Sequence, residues 1–598
     1  MLLRAQHTWT RSSRRGGAIL RCSAIQCKRN IASEIAGHNI AILGGGITGL
    51  SAAIDILREG KPCRITILES QARLGGWITS EFVDVPGGQI LFEKGCRTLR
   101  PGGAAGLTTL SMIHHLGLEE ELVTCSKNSP AAKNRYVYYP DHLVRMPGSL
   151  LEVPRLLFRE PLGRGIISGI LSGAFKPKTR ATADASVARV ISENLTPKLV
   201  NLVSAVLHGI YAGDVHKLSF AALFPQLDYY IRQRGGILRG MLYSMICSWS
   251  GRVMLPAQDI QTIQKIQHDW QAQRTKDGSP GGSKRMKALQ AARLSSVYSF
   301  KKGIQQLPDR MEQMLRKHPQ VHIETDCSVY AIRPEESGRQ GLLVKTGANG
   351  GAERHFSHVI STLPSKTLGN LLYAESDHLD QPTSKINEAL ASNGTVNVMV
   401  VNLWFAEKNL LPVSGFGYLI PKDIAADQNP ELGLGVIFDS DALQDQDTVA
   451  GTKITVMLGG HHWDGLPDRA LPDTAQGVDH AKSLIARHLK ITVDPVATCA
   501  TMRRNCIPQY HPGHLDRMRK LRSALQDKYE SRLALAGSSY DGVGVSDCIR
   551  SGIFASQGLH LTPENEGKAG GLLKSHTNPD DPAAFALASK KLLTWNFS

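Results

Sequence analysis

Asn39-Ile-Ala-Ile-Leu-Gly44-Gly45-Gly46-Ile47-Thr48-Gly49-Leu50 opens a unit that runs to Glu69, and its reading decides the fold. Ile40 to Leu43 have the unbroken apolar character of a buried parallel strand. Leu50, Ala53, Ile54 and Leu57 recur at helical spacing as one apolar face, and Gly60 stops that helix. Ile65 to Leu68 read as a second strand, with Glu69 at its end. Strand, glycine turn, helix, strand and acid together make the βαβ fingerprint of a dinucleotide site. Gly44 makes the tight turn, Gly46 lets backbone approach a pyrophosphate, and Gly49 lets the helix pack on the strand. The helix start faces the phosphates with unpaired N–H groups and the positive end of its dipole, and Glu69 is placed to accept ribose hydroxyls.

A second glycine pair follows in Arg73-Leu74-Gly75-Gly76-Trp77. Nicotinamide enzymes have no need of one there, whereas the longer FAD molecule requires another close backbone approach. Glu69 to Gly76 resembles the second motif of the amine oxidase and phytoene desaturase class of flavoproteins. Three further segments fit that resemblance: His358 to Pro364, a strand returning to the nucleotide domain; Val329 in a strand on the adenine side; and Leu533 to Val545, a strand, glycine turn and helix start. A helix N-terminus aimed at the isoalloxazine would stabilise negative charge on the reduced ring.

At 598 residues the chain is too long for a single core. Ten cysteines are scattered without a C-x-x-C pair or partnered histidine spacing, which argues against a zinc or iron–sulfur site and against a disulfide framework. Residues 1–33 hold seven Lys and Arg, several Ser and Thr, and no acid, the composition of a mitochondrial transit peptide. Without those seven charges the formal +16 falls to about +9, which suits an anionic substrate or an acidic membrane surface. No nucleic-acid motif is present.

Residues 141–250 carry helical patterns, with Leu199, Leu202, Val203 and Val206 as one apolar face and Val187, Val190 and Ile191 as another. Leu150 to Phe175 and Gly236 to Trp249 are apolar but too interrupted to span a bilayer. They either bury in a helical domain or lie in a membrane interface. Residues 268–294 read as a flexible surface insertion, as does a second polar stretch near 562–583. Thr395 to Phe405, Gly435 to Phe438 and Lys453 to Leu458 are β-branched-rich strands of a second sheet.

Phe92 to Pro101, Ala131 to Tyr136, Gly209 to Asp214, Gly415 to Pro421, Thr455 to Gly460 and Asn505 to Tyr510 together resemble the protoporphyrinogen oxidase family, over about residues 38–556. The resemblance implies an α/β fold: a Rossmann-type FAD-binding domain, a mixed-sheet substrate domain and a helical membrane-associating domain. The expected division is a transit peptide at 1–33, FAD-binding parts at 38–125, 297–365 and 511–560, and a helical substrate and membrane part at 126–260. A flexible insertion is expected at 261–296, a substrate part at 366–510 and a tail at 561–598.

The resemblance further implies non-covalent FAD, one per chain. Oxidation of protoporphyrinogen IX would use three dioxygen and give three hydrogen peroxide, the penultimate step of haem biosynthesis. The place is the intermembrane-space face of the mitochondrial inner membrane, by monotopic attachment; a homodimer and a contact with ferrochelatase stay open. Gly44, Gly45, Gly46, Ile47, Thr48, Gly49, Glu69, Ser70, Trp77, Gly95, Cys96, Arg97, Thr98, Val329, Ser538, Val543, Gly544 and Val545 would line FAD. Arg135 would pair with a propionate, Phe416 and Leu419 would sandwich a pyrrole with Met457 nearby, and Gly209 and Gly213 would wall the cavity. Such a substrate needs apolar walls and a cation at its polar edge, because a desolvated carboxylate without a partner is costly.

Cys96 stands where proline is common in the family. Gly537 to Tyr540 contain no cysteine for a covalent flavin bond. The chemistry expected is hydride transfer from a methylene bridge carbon to flavin, with no side-chain base, so that positioning does the work. Two other readings stay open: another flavin amine oxidase or desaturase, and a non-catalytic flavin-binding membrane protein.

Overall fold

The structure, a computed structural model, describes residues 38–60, 62–148, 152–163, 166, 184–274, 280–335, 340–347, 351–373, 381–559 and 585–589. The transit peptide expected at 1–33 and the polar stretch at 562–583 lie outside the described residues.

The chain opens with β1 (His38–Leu43), α1 (Ile47–Arg58) and β2 (Cys63–Leu68), where the apolar pattern places them. Next come β3 (Gly88–Glu93), α2 (Gly103–Leu116), β4 (Tyr136–Tyr138) and β5 (Leu143–Arg145). Helices α3 (Lys198–Tyr211), α4 (Ile237–Trp249), α5 (Ala257–Arg274) and α6 (Pro280–Leu294) follow. Then come β6 (Val321–Glu324), β7 (Val329–Pro334), β8 (His358–Ser361), β9 (Gly394–Phe405), β10 (Gly417–Leu419), β11 (Gly433–Phe438) and β12 (Thr452–Gly459). The last are α7 (Thr474–Leu489), β13 (Ala497–Gln509), α8 (His514–Tyr529), β14 (Leu533–Leu535) and α9 (Val545–Gln557).

Two sheets carry the architecture. The first has five strands in the order β6-β2-β1-β8-β14, every neighbouring pair parallel. Ile40, Ile42, Leu50, Ile54, Ile65 and Ile67 are fully buried in its core, each contributing about 1.5–3 kcal/mol by burial. One face is covered by α1, α2 and α9, and α8 lies on the other. The second sheet has seven strands in the order β13-β9-β12-β11-β10-β4-β5. It is antiparallel except where β10 runs parallel to β4, and α7 packs on one of its faces. The segment 126–260 is therefore not purely helical: it lends β4 and β5 to the substrate sheet.

Two expectations are corrected. The flexible insertion expected at 261–296 holds two helices: Ile263, Ile266, Leu289 and Ala292 are buried, and Trp270 Nε1 donates to Ser111 Oγ at 3.4 Å. Apolar residues at helical spacing on both sides of the Gly/Ser stretch outweigh its composition. On α3 the buried residues are Val200, Ser204, Ala205, Leu207 and His208, while Val206 is exposed. The apolar pattern misses this face because two of its members are polar and hydrogen-bonded: the Lys422 N–H donates to Ser204 Oγ at 3.0 Å, and His208 Nδ1 lies 2.6 Å from the Ile420 carbonyl oxygen.

Behind the seven-stranded sheet, His488 stacks on Tyr138 with ring centroids 3.6 Å apart. Its Nε2 lies 2.7 Å from the Gln428 carbonyl oxygen, which only accepts, so Nδ1 takes the hydrogen bond of the Tyr418 hydroxyl at 3.0 Å. That neutral ring is favoured by burial, which pulls His488 from 6.5 down to about 4. The lowered value makes its stability contribution complete above pH 6.5 and lost as pH falls towards 4, because the unfolded chain takes up the proton first. Thermal unfolding is expected to become easier across that window, by up to roughly 3 kcal/mol from this residue. His488→Gln, which does not titrate, should flatten part of the slope in melting curves across the same pH range.

Candidate functional site

Three backbone turns converge at the C-terminal ends of the parallel strands. In the first, Gly44 has φ +100°, a conformation that side chains resist, and its added Cβ would stand 2.6 Å from Thr362 Oγ1. In the second, Gly75 and Gly76 lie directly against the first: Gly75 N–H donates to the Gly45 carbonyl at 2.9 Å, and a Cβ on Gly76 would come within 3.3 Å of Gly46 Cα. Arg73 braces this turn by donating to the Leu74, Ile78 and Gly76 carbonyls at 2.7–3.2 Å. The third turn follows β14, where Gly537 has φ +110° and leads through Ser538 and Gly542 to Val543, Gly544 and Val545 at the start of α9. A Cβ on Gly552 of α9 would stand 2.3 Å from the Thr48 carbonyl oxygen, so α1 and α9 cross in close contact with Thr48 between them.

These turns fit a dinucleotide. Helix α1 begins at Ile47 and Thr48 with Gly46 as its cap residue and no side-chain cap, so its first N–H groups face the recess. Among the described residues, the one heavy atom within 4 Å of a Cβ on Gly46 would be Gly76 Cα at 3.9 Å, which leaves that side of the turn clear of them. Glu69 stands at the end of β2 with Oε2 accepting the Gly45 N–H at 2.7 Å and Oε1 accepting the Gln71 N–H at 2.9 Å. Ser70 beside it is exposed. The Cys327 N–H donates to the Glu69 carbonyl, which brings the start of β7 and Val329 to the same edge.

Around the recess, Trp77 is 44% exposed under the Arg503 guanidinium, 5.7 Å from its ring centroid. Gly95 lies against the Trp77 carbonyl, and Cys96 and Thr98 flank Arg97. Arg97 itself is buried and pairs with Asp439 at 2.5 Å. Thr455 Oγ1 lies within hydrogen-bond reach of both Asp439 and Asn402, whose Nδ2 donates to the Glu93 carbonyl at 3.0 Å. Burial pushes Glu93 up to about 7, against hydrogen bonds from Ser80 Oγ and the Ile304 N–H. This chain of contacts joins β3 to the far sheet.

On the sheet face opposite α7, Leu419 of β10 is in register with Gly435 of β11, which pairs with Met457 of β12. Two strand spacings separate Leu419 and Met457 by about 10 Å, and the Leu419 side chain leans over Gly435 between them. A Cβ on Gly435 would meet Tyr418 O at 2.7 Å and Leu419 Cδ2 at 2.9 Å. Gly209 at the end of α3 faces Leu419 in the same way, at 2.9 Å, and Gly213 abuts Gln509. Phe416 lies at the strand end, with the Arg135 guanidinium 5.8 Å from its ring centroid and 3.4 Å from Ser296 Oγ. The structure thus joins Leu419, Gly209 and Met457 along one face and sets Arg135 and Phe416 at its edge.

Sequence reasoning assigned no role to three residues of this site. Gly435 carries the weak signal of a glycine inside a strand, which marks close approach. Arg100 is open to solvent yet held below the usual arginine range by surrounding protein and then by the Arg135 charge, so the two cations lie within reach of each other's field. Tyr510 ties the third turn together: its hydroxyl donates to the Ser538 carbonyl at 2.5 Å and accepts the Gly542 N–H at 2.8 Å.

Gly46→Val places a side chain in front of the α1 N-terminus and should yield colourless protein. Tyr510→Phe leaves the Gly542 N–H and the Ser538 carbonyl without this partner, at a cost of about 1–3 kcal/mol, or roughly 5- to 150-fold weaker flavin binding. Flavin fluorescence titration of apoprotein measures both.

Comparison with known proteins agrees with this geometry. The pattern of the family described as flavin containing amine oxidoreductase matches residues 47–560. Protoporphyrinogen oxidase of Schizosaccharomyces pombe is 33% identical over 522 residues, covering 86% of this chain and 97% of that protein. The human protoporphyrinogen oxidase is 31% identical over 535 residues, covering 88% of this chain and the whole of that protein. Among solved structures, cyclohexylamine oxidase from Brevibacterium oxydans superposes with a TM-score of 0.55 at 15% identity, over 87% of this chain and 98% of that one, a likeness of fold. FAD is therefore the cofactor, and the three turns are the candidates to receive it. A glycine cradle for that cofactor, a cation-edged apolar face beside it and identity running the length of both curated relatives lead to one assignment: the chain belongs to the protoporphyrinogen oxidases, within the flavin containing amine oxidoreductases.

Proposed function

We propose that this chain oxidises protoporphyrinogen IX to protoporphyrin IX with FAD, in haem biosynthesis, and that dioxygen takes up the electrons as hydrogen peroxide. The observation that carries this reading is the apolar face of Leu419, Gly435 and Met457 with Arg135 at its edge. It suits a flat, apolar macrocycle with carboxylates on one side. FAD, when bound, supplies the hydride acceptor. The chain's own work is positioning: the sheet face supports the ring, Gly435 and Gly209 give the Leu419 side chain its room, and Arg135 holds the acidic edge. No acid or base among the assigned site residues is needed for this reading. Oxidation of protoporphyrinogen by purified protein, followed by porphyrin fluorescence with peroxide in step, tests it; flavin that stays oxidised under anaerobic substrate would overturn it.

The place proposed is the surface of the mitochondrial inner membrane, on the intermembrane-space side and after removal of residues 1–33. No helix among the described residues is long and apolar enough to cross a membrane. Helix α4 instead leaves Met241, Leu242, Met245, Ile246 and Trp249 exposed in one stripe, with Trp249 78% accessible. At about 1.5 Å per residue it is too short to span and suited to lying in the interface.

Two outcomes follow. Arg135→Ala should lower kcat/KM by about 2–4 kcal/mol, or roughly 30- to 1,000-fold, with flavin content unchanged, and Arg135→Lys should recover only part. Replacing Met245 and Ile246 with Glu should weaken sedimentation with acidic phospholipid vesicles by about tenfold or more, while turnover in detergent stays near wild type.

A further inference from the structure

Three histidines meet at the back of the substrate wall, and the reading above does not use them. His208 lies in α3, one residue before Gly209, and His461 and His462 lie in the helical turn Gly460–Trp463 that follows β12. Their ligand-capable nitrogens all fall within 4.8 Å of one another. His461 and His462 have ring centroids 4.0 Å apart, and His208 stands 4.8 and 5.7 Å from them.

The hydrogen bonding of this cluster is incomplete as a packing arrangement. His208 Nδ1 lies 2.6 Å from the Ile420 carbonyl oxygen, so Nδ1 carries the proton and Nε2 presents its lone pair. That lone pair accepts a hydrogen bond from His461 Nε2 at 2.8 Å, which an ion between the rings replaces once the His461 proton moves to Nδ1. His462 Nε2 is buried with no hydrogen-bond partner among the described residues. A buried ring nitrogen left so costs about 1–3 kcal/mol unless something fills the place.

An ion fills it well. Imidazole nitrogens are preferred ligands of borderline divalent ions, and a tetrahedral zinc with bonds of about 2.0–2.1 Å holds its nitrogens roughly 3.3 Å apart. The present spacings, 2.8 Å between His208 and His461 and at most 4.8 Å overall, lie on either side of that value. The Nδ1–H bond to a backbone carbonyl is the outer support that orients a metal-binding histidine. Asp214 favours positive charge here, and Lys422, paired with it at 2.8 Å, opposes it.

We propose that His208, His461 and His462 form a binding site for one divalent transition-metal ion of the zinc class, which clamps the end of α3 to the turn after β12. The His461 N–H already donates to the Ala212 carbonyl at 2.8 Å, so the ion would reinforce an existing contact between the Gly209–Gly213 wall and the strand that carries Met457.

The test uses full-length, flavin-loaded protein treated with chelator and dialysed. Co2+ is titrated in as the probe, read by its visible ligand-field bands after subtraction of the flavin spectrum, and then displaced by Zn2+. One equivalent per chain with a tetrahedral nitrogen-ligand spectrum, and a rise in melting temperature with Zn2+, is the expected result. His461→Ala and His462→Ala should each weaken Co2+ binding by at least about tenfold. His462→Gln keeps size and polarity and serves the same comparison should the alanine variants not fold. Wild-type protein that shows no such spectrum, or a spectrum that persists unchanged in the His462 variants, would overturn the site.

Discussion

Backbone meets backbone around Gly44 to Gly49, and the nucleotide half of the molecule depends on that closeness. A Cβ on Gly49 would stand 2.1 Å from the Gly44 carbonyl oxygen, and one on Gly45 would stand 2.3 Å from Leu74 Cδ2. Without these glycines α1 could not settle on β1 and the second glycine turn could not lie on the first; Gly552 in turn lets α9 cross α1 at the Thr48 carbonyl. The close approach also holds the α1 N-terminus at the end of the parallel strands with no side-chain cap. Its dipole and its N–H groups are left for a phosphate.

The two sheets are joined by polar contacts as well as by apolar ones. Arg97 and Asp439 form a buried pair between the loop after β3 and the element after β11. Lys453 Nζ donates to the Leu91 carbonyl at 3.0 Å and pairs with Asp447 at 2.7 Å. Buried charges of this kind add little net stability, since desolvation offsets attraction, but removing one partner strands the other. Their role in this fold is orientation: they hold the Leu419–Met457 face in a constant relation to the flavin turns. Tyr510 does the same from the other side, with its backbone carbonyl accepting the Ser219 N–H and its hydroxyl in the third turn.

Much of the site was legible before the structure, because its signals are local. Glycines at fixed spacing between an apolar strand and an apolar helix need no tertiary knowledge to read, and strand β9 was plain from Thr395 to Phe405. Other signals are not local. Gly435 matters only because Leu419 and Met457 lie on either side of it in register, two contacts made by strands far apart in sequence. The apolar face of α3 holds for Leu199, Leu202 and Val203 but not Val206, and it leaves out Ser204 and His208, which are buried through partners at 422 and 420 that no helical periodicity displays. At 261–296 the Gly/Ser composition suggested flexibility, while four apolar residues at helical spacing decided for helices.

The sequence by itself determined the cofactor class and the order of the nucleotide unit, since short-range spacing of Gly44, Gly46, Gly49 and Glu69 encodes turn, approach and acid. It determined the family through motifs that each span a few residues. Only the tertiary structure decided that Arg97 is held by Asp439 and that His208 meets His461 and His462. Arg97 and Asp439 are 342 residues apart and His208 and His461 are 253 apart, and it is the seating of α3 on β10, β11 and β12 that brings the histidines together. A contact made by sheet register across the chain leaves no periodic trace in the order of residues, and it becomes visible only when the strands are in place.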